Sequence, residues 1–185
     1  MIYIWIIFII ILILLLTIYV IKLHNKLAKL EINIKKEYSN IDVSLKKRSD
    51  LITKLVDTVK SYMKHEKDVL TDLIELRNKC FDLKEESKLL DIDLKISHLL
   101  NKILVLAENY PDLQSSNNFM HLQNELQTME EDIAQTRILY NKTINIYNNI
   151  CTTYPNKIFA SLLGYKKYEY YPILTEEKEM PEIKL

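Results

Sequence analysis

The chain begins with an unbroken apolar run, IYIWIIFIIILILLLTIYVI, from Ile2 to Ile21, which carries no charged residue. At about 1.5 Å per residue, a helix of this length spans roughly the 30 Å hydrocarbon core of a bilayer. Aromatic residues near its two ends, Trp5 and Tyr19, suit the two lipid–water interfaces. A cleaved signal peptide would need a cationic start, a shorter apolar core and a small-residue cleavage site, which this run lacks. The pattern therefore predicts a transmembrane anchor over residues 1–21.

Beyond the anchor, hydrophobic residues recur in alternating steps of four and three, which is the spacing of one helix face. Neither proline nor glycine interrupts this region, and Arg48 stands between two of the apolar positions. We expect one long helix from Lys22 to about Cys80. Its predicted apolar seam consists of Leu23, Leu27, Leu30, Ile34, Tyr38, Ile41, Leu45, Ile52, Leu55, Val59 and Tyr62.

Two further helices follow from the same periodicity. The second is predicted to start with Ser87 as N-cap and to stop at Tyr110, because Pro111 disfavours helix in the residue before it. The third is predicted to open after PDLQSS, where Ser115 or Ser116 could cap it. The second seam is Leu89, Ile92, Ile96, Leu99, Ile103, Leu106 and Tyr110. The third seam is Phe119, Leu122, Leu126, Met129, Ile133, Thr136, Tyr140, Ile144 and Tyr147.

A short fourth helix is predicted after Pro155, ending at Gly164, whose missing Cβ suits a left-handed C-cap. It would bury Ile158, Phe159, Leu162 and Leu163. The remainder is rich in charge and contains two prolines, so we expect an extended tail. Late tyrosines could dock a partner or pack the tail back onto the helices: Tyr154, Tyr165, Tyr168, Tyr170 and Tyr171.

Composition supports an all-α fold, because one glycine and four prolines leave little material for tight turns or hairpins. The same scarcity excludes glycine-rich phosphate loops. We therefore predict an N-terminal transmembrane helix followed by an antiparallel bundle of long helices with a short fourth helix. The predicted domains are the anchor at residues 1–21, the bundle at residues 22–164 and the tail at residues 165–185.

The predicted helix lengths do not match. The first helix would be about 90 Å long outside the membrane, the second about 35 Å and the third about 57 Å. Partners within the chain would then leave part of the first helix uncovered. We expect the uncovered part, around Leu23 to Ile34, to bury its seam against a second subunit or another membrane-associated protein.

Charge indicates the orientation of the anchor. Lys22, Lys26 and Lys29 directly follow the apolar run, and basic residues favour the cytoplasmic side of a membrane. The soluble part is therefore predicted to be cytoplasmic. Two distant cysteines, Cys80 and Cys151, lack CxxC spacing and are expected to be reduced thiols.

The stretch KSYMKHEKDV offers one candidate for chemistry, with His65 beside Glu66. A zinc-protease helix needs a second histidine four residues after the first, and that position is Val69. Asp42 and Asp50 would lie about 12 Å apart along a helix, too far to act as a close carboxylate pair. We predict no catalytic, cofactor or metal site. Since the net charge is zero and no basic patch interleaved with aromatics is present, we expect no nucleic-acid binding either.

Three stretches resemble the bacterial LemA family: NIDVSLKKRSDLITKLVDTVKSYMKHE, AENYPDLQSSNNFMHLQNELQTMEEDIAQTRILYNKTINIYN and YPNKIFASLLGY. The resemblance covers nearly the whole chain. It implies a membrane-anchored antiparallel helical bundle without an established catalytic reaction. The matching positions are Asp42, Arg48, Asp50, His65, Glu66, Glu108, Tyr110, Pro111, Leu113, Arg137, Tyr140 and Asn141.

The chain departs from the family pattern at three positions. Thr53 stands where the family usually has a proline, which puts any proline kink there in doubt. Tyr38 occupies a position where the family commonly has a tryptophan, and Tyr165 occupies one where the family usually has a phenylalanine. The two aromatic replacements keep apolar bulk.

We conclude from the sequence that the chain is a single-pass protein of the cell membrane, acting as a scaffold or interaction module rather than an enzyme. Its expected partners are the lipid bilayer and either a second copy of the chain or another membrane-associated protein. The alternative is an unrecognised enzyme or signalling component that uses the polar residues of the first long helix, Asp42, Arg48, Asp50, His65 and Glu66.

Overall fold

The computed structural model describes residues 1–82 and 86–171, with side chains described outside residues 81–90. These residues form six helices and no strand. The helices are α1 (Ile2–Val59), α2 (Lys67–Asp82), α3 (Glu86–Ala107), α4 (Pro111–Gln114), α5 (Asn117–Thr152) and α6 (Asn156–Leu162). The predicted all-α fold is confirmed.

Helix α1 contains the whole apolar run and continues from it without a break. By length and composition it is able to cross a membrane, with a mean hydropathy of 3.3 over its most apolar 18-residue window. None of that window is buried inside the protein. An apolar surface of this size without protein cover is unfavourable in water and suits a hydrocarbon environment.

The prediction of a single helix from Lys22 to about Cys80 is wrong, because α1 ends at Val59 and a separate helix, α2, begins at Lys67. Between them the chain turns, with the Met63 amide donating to the Val59 carbonyl at 2.9 Å. Met63 is fully buried in this turn, whereas the predicted seam residue Tyr62 is exposed. Burial of Met63 in the core therefore decides where the helix stops, although no proline or glycine marks the place.

Thr53 does not interrupt α1. The helix continues to Val59, and the Thr53 hydroxyl donates to the Ser49 carbonyl one turn back at 3.1 Å. The chain therefore has a regular helical position where the family pattern usually has a proline.

The other boundaries follow the sequence more closely. Helix α3 stops at Ala107, three residues before the predicted end, and its start adjoins residues 83–85, which lie outside the described residues. Ser87 is already helical. The short helix α4 was not predicted, and the Ser115 hydroxyl donates to the Asp112 carbonyl at 3.1 Å instead of capping α5. Ser116 directly precedes α5.

The chain folds into two compact units. The first unit comprises residues 1–40 and 136–170, and the second comprises residues 41–135 together with Tyr171. The core of the second unit is formed by α1, α2, α3, α4 and α5 around side chains that include Leu55, Met63, Leu73, Ile103, Leu113 and Phe119.

In the first unit, α1 and α5 run antiparallel. Tyr38 contacts Tyr140, with ring centroids 5.8 Å apart, and the Tyr147 hydroxyl donates to Glu31 at 3.3 Å. The later residue of α5, Tyr147, contacts the earlier residue of α1, Glu31, so the two helices run in opposite directions. The apolar core of this unit is Leu23, Leu27, Ile34, Tyr140, Ile144, Tyr147, Cys151 and Ala160.

The prediction that the seam around Leu23 to Ile34 is uncovered is wrong. Leu23, Leu27 and Ile34 are buried within the chain itself. The reason is length: residues 22–59 of α1 extend about 57 Å and the 36 residues of α5 about 54 Å, so the two helices match. The expected mismatch came from assigning α2 to the first helix.

Helix α6 has the predicted position but not the predicted burial. Its buried residue is Ala160, whereas Ile158, Leu162 and Leu163 are exposed and Phe159 is half-buried. Gly164 has φ +82°, in the left-handed region, as the prediction of a glycine C-cap requires. The Gly164 amide donates to the Ser161 carbonyl at 3.1 Å.

Candidate functional site

Arg48 lies at the centre of a buried polar network in the second unit, with only 2% of its surface exposed. Its Nη1 donates to Asp93 Oδ1 at 2.5 Å, and its Nη2 donates to Ser97 Oγ at 2.8 Å. Nη2 also donates to the Glu130 carboxylate. The network thus joins three helices, α1, α3 and α5, through one guanidinium group.

The helical pattern explains why these charges meet. Arg48 is three residues after Leu45 and four before Ile52, so it occupies a position of the apolar seam on α1. Asp93 is three residues before the seam residue Ile96 on α3, and Glu130 is three residues before the seam residue Ile133 on α5. The helices thus direct Arg48 and Asp93 into the core, where a buried charge requires a partner, whereas Glu130 reaches the network from its edge with 43% of its side chain exposed.

The network continues through Ser49 to α2. The Arg77 Nε donates to Ser49 Oγ at 2.8 Å. Burial raises the pKa of the nearby Cys80 thiol to about 11; Asp93 adds to the rise and Arg48 opposes it. Cys80 is therefore a neutral thiol at physiological pH and a poor nucleophile.

Both terminal nitrogens of Arg48 are engaged with partners on α3 and α5. A guanidinium group held this way cannot also bind a substrate carboxylate or phosphate without breaking those bonds. The network therefore fixes the register of three helices. Its members Asp93, Ser97, Glu130, Ser49 and Arg77 were missed by the sequence analysis, although a charged residue at a seam position is a usable signal.

Next to the network, α1 and α5 border an open groove of about 760 Å³. Leu51 and Met129 supply apolar surface, and the remaining lining residues are polar or charged. On the α5 side, His121 Nδ1 lies 3.6 Å from Glu125 Oε2. The lining residues are Lys47, Asp50, Leu51, Lys54, His121, Asn124, Glu125, Thr128 and Met129.

Of the polar residues predicted as a cluster on the first helix, Arg48 enters the buried network and Asp50 lines the groove. Asp42 is exposed on α1. His65 and Glu66 lie in the turn between α1 and α2, exposed and half-buried respectively. The predicted cluster is therefore divided among four environments.

The other family-matched positions are also dispersed. Tyr110 is half-buried just before α4, and Pro111 is the first residue of that helix. Tyr140 is buried against Tyr38 in the first unit. Arg137 and Asn141 are half-buried on the same helix, α5. Pro111 begins a short helix of the second unit and Tyr140 packs in the core of the first, so these positions do not form one site.

No group of three or more histidine, cysteine or acidic side chains is placed to hold a metal ion among residues 1–82 and 86–171. Cys80 and Cys151 are free thiols.

Three tyrosines, Tyr147, Tyr165 and Tyr168, form a cluster in the first unit. The Tyr147 ring is buried and makes edge contacts with Tyr168 and Tyr165, at centroid distances of 5.2 and 6.5 Å. Burial raises the pKa of the Tyr147 phenol, and nearby Cys151 and Glu31 raise it further. The cluster is therefore uncharged and packs as an apolar group.

The segment after α6 is held onto α5 by Asn148. Asn148 Nδ2 donates to the Tyr168 carbonyl at 2.9 Å, and Asn148 Oδ1 accepts from the Tyr168 amide at 3.0 Å. The Tyr165 hydroxyl also lies 2.9 Å from His24 Nδ1. Packing of the tail onto the helices is thus confirmed for Tyr165 and Tyr168, whereas Tyr154 is exposed.

Comparison with known proteins places this architecture in a family. The chain is 31% identical over 83 residues to the magnetosome protein MamQ of Magnetospirillum gryphiswaldense, covering 45% of this chain and 30% of that protein. It is 25% identical over 138 residues to the protein LemA of Metamycoplasma hominis, covering 74% of this chain and 59% of that protein. The chain thus spans about a third of the length of the MamQ relatives it matches. The model of the LemA family matches residues 37–185, and the chain belongs to the LemA family.

Proposed function

We propose that the chain is a single-pass membrane-anchored scaffold of the LemA type, whose folded part lies on the cytoplasmic side and binds another protein. We further propose that its role is non-enzymatic. The observation that carries the proposal is the apolar run of α1, which the protein leaves uncovered and which continues without a break into the part of α1 that belongs to the two folded units.

The anchor part of the proposal is supported by hydrophobic length. About 20 apolar residues are needed to cross a bilayer as a helix, and residues 2–21 provide that length. Lys22, Lys26 and Lys29 follow immediately, and the positive-inside rule assigns them to the cytoplasm.

The binding part is supported by the groove between α1 and α5. Its apolar floor of Leu51 and Met129 is bordered by Lys47 and Lys54 and by Glu125. An apolar centre with charged edges is typical of protein-binding surfaces, where the centre gives affinity and the edges give specificity. The partner is either a second copy of the chain or another membrane-associated protein.

Alkaline extraction of membranes tests the anchor. The full chain should remain in the membrane pellet after a carbonate wash and be released by detergent. A variant without residues 2–21 should move to the soluble fraction while keeping its helical circular dichroism. Release of the full chain by carbonate alone would contradict the anchor.

Photo-crosslinking tests the groove. A benzophenone amino acid placed at Lys54 or Thr128, on the groove wall, should give a crosslinked band in native membranes. The matched control is the same amino acid at Glu131, an exposed position of α5 outside the lining residues. The mass of the adduct distinguishes a second copy from another protein. Identical labelling from all three positions, or none, would contradict a binding groove.

Alanine substitutions separate binding from chemistry. Asp50→Ala and His121→Ala change two groove residues that could act in proton transfer. A scaffold predicts that loss of cellular function follows loss of the crosslink. Loss of function with folding and crosslinking intact would favour the enzymatic alternative.

A further inference from the structure

An exposed apolar surface surrounds α6 in the first unit. Leu162 is 78% exposed, Tyr154 73% and Ile158 51%, and Leu163 is also exposed. Ile158 and Leu162 stand four residues apart, so they share one face of the helix. Ala160 is buried on the other side. The helix thus turns its small residue inward and its large apolar residues outward, opposite to the usual arrangement in water.

Contacts with Tyr19 fix where this surface lies along α1. The Tyr19 hydroxyl donates to the Asn156 side-chain oxygen. The Tyr19 ring meets the Phe159 ring edge-on, with centroids 5.8 Å apart. Tyr19 stands two residues before the end of the apolar run at Ile21. Helix α6 therefore lies level with the last turn of the run.

The charged side chains within α6 and its immediate flanks, residues 154–168, are all basic. Residues 154–168 contain Lys157, Lys166 and Lys167 and no aspartate or glutamate. All three lysines are exposed, and the Lys157 ammonium lies 5.5 Å from the centre of the Tyr154 ring. Apolar side chains flanked by lysines are the pattern of segments that rest in the headgroup region of a membrane.

We propose that α6 and its flanks, residues 154–167, form a membrane-surface contact beside the point where α1 leaves the bilayer. In this arrangement Ile158 and Leu162 enter the interface, and Lys157, Lys166 and Lys167 face lipid phosphates. The inference rests on the proposed membrane anchor, because Tyr19 marks the interface only if residues 2–21 cross the bilayer.

A lipid surface fits this face better than a protein partner because of continuity. Tyr19, near the end of the exposed apolar run of α1, contacts Asn156 and Phe159 of α6, so the exposed face of α6 lies beside the end of that run. A helix that stands at a bilayer surface with exposed leucine and isoleucine gains by placing them below the headgroups.

Tryptophan fluorescence tests the proposal, since Trp5 is the only tryptophan in the chain. The full-length protein is reconstituted in vesicles of phosphatidylcholine and phosphatidylglycerol, with or without bromine atoms high on the acyl chains. The wild type reports the anchor through Trp5. The variant Trp5→Phe/Leu162→Trp reports α6, because bromine quenches only tryptophans that lie near it.

The matched control is Trp5→Phe/Ile138→Trp. Ile138 is 65% exposed on α5 of the same unit, near the Tyr38–Tyr140 contact. Tyr38 stands about 28 Å farther along α1 than Tyr19, so a tryptophan at position 138 should stay in water. Circular dichroism of each variant verifies that it folds.

The proposal predicts that brominated lipid quenches the tryptophan at position 162 by a fraction comparable to that for Trp5, and leaves the one at position 138 unchanged. Quenching of Trp5 without quenching at position 162 would overturn the surface contact while the anchor stands. An unquenched but blue-shifted emission at position 162 would assign the face to a protein partner and also overturn the proposal. Failure to quench Trp5 would overturn the anchor and the contact together.

Discussion

Arg48 is a charged residue at a position where its helix presents side chains to the core. Its contacts with Asp93, Ser97 and Glu130 turn a costly buried charge into a connection among α1, α3 and α5. A buried ion pair adds little net stability compared with an apolar pair of the same size. Removing only one of the two charges is strongly destabilising, because the other charge remains buried without a partner.

Arg48→Ala should destabilise the protein by about 3–5 kcal/mol, because Asp93 would remain buried without its cation. Urea denaturation of the detergent-solubilised chain, followed by circular dichroism, measures the loss. Lys46→Ala, on an exposed face of the same helix, is the control and should stay within about 0.5 kcal/mol of wild type. Equal midpoints for the two variants would contradict a buried network.

Cys80 should react slowly with thiol reagents in the folded state. Burial raises its pKa from an ordinary value of 9.0 to about 11, so the reactive thiolate is scarce at pH 8. Alkylation at pH 8 in a Cys151→Ala background should be at least about tenfold slower in the folded chain than in urea. Equal rates in the two states would show that the thiol is neither buried nor shifted.

The same shift gives a pH dependence of stability. Between pH 9 and about 11 the folded chain holds the Cys80 proton while the unfolded chain releases it. Stability should therefore fall as the pH rises through this window, and Cys80→Ala should flatten the fall. Unfolding midpoints recorded from pH 8 to 11 check the sign.

The site was harder to predict from sequence than the helices. Arg48 could be placed in the seam by its spacing, but its partners depend on which helices pack together and in what register. Asp93 and Glu130 lie 45 and 82 residues away along the chain, and periodicity carries no information about such distances. What the pattern does show is that Arg48 occupies a core-facing position of its helix.

At the scale of helices, the main error was the end of α1. Periodicity continued past Val59 without a proline or glycine, so one helix was expected where the structure has α1, a turn and α2. The turn forms because the chain gains more by burying Met63 and packing α2 on α3 than by adding helical hydrogen bonds. Tertiary packing of this kind leaves no local signal.

Met63→Ala tests that explanation. Removing a fully buried methionine side chain should cost about 2–5 kcal/mol and weaken the turn between α1 and α2. Met120→Ala, the same change at an exposed position of α5, should have little effect. Thermal unfolding of both variants provides the comparison, and a similar small shift for each would contradict the role of Met63.

Asn148 offers a second test at this scale. Asn148→Ala removes both hydrogen bonds to the Tyr168 backbone and should release residues 165–170 from α5. Hydrogen exchange at the Tyr168 amide should accelerate, while the helical amides of α5 keep their protection. Asn149→Ala, at the neighbouring exposed position, is the control. Unchanged exchange at Tyr168 would show that the tyrosine cluster alone holds the segment.

For the whole molecule, the length of α5 alters the interpretation of partners. The sequence suggested an uncovered seam near the membrane, whereas Leu23, Leu27 and Ile34 are buried by the chain's own residues. The proposed partner would therefore use another surface. The groove between α1 and α5 is the candidate for a protein, and the outer face of α6 is the candidate for lipid. The all-α class and the apolar run were predictable because both depend on composition and local period alone.

The central claim is that residues 2–21 cross a bilayer and carry the folded units on one side. Single cysteines placed at successive positions from 4 to 20, in a Cys80→Ala/Cys151→Ala background, can each carry a spin label in reconstituted vesicles. The account predicts that oxygen accessibility rises to a maximum near Ile11 and Leu12 and falls toward both ends, while a water-soluble nickel reagent shows the reverse. An accessibility that instead oscillates with the helical period at one constant depth would mean that the helix lies on the surface, and would contradict the anchor.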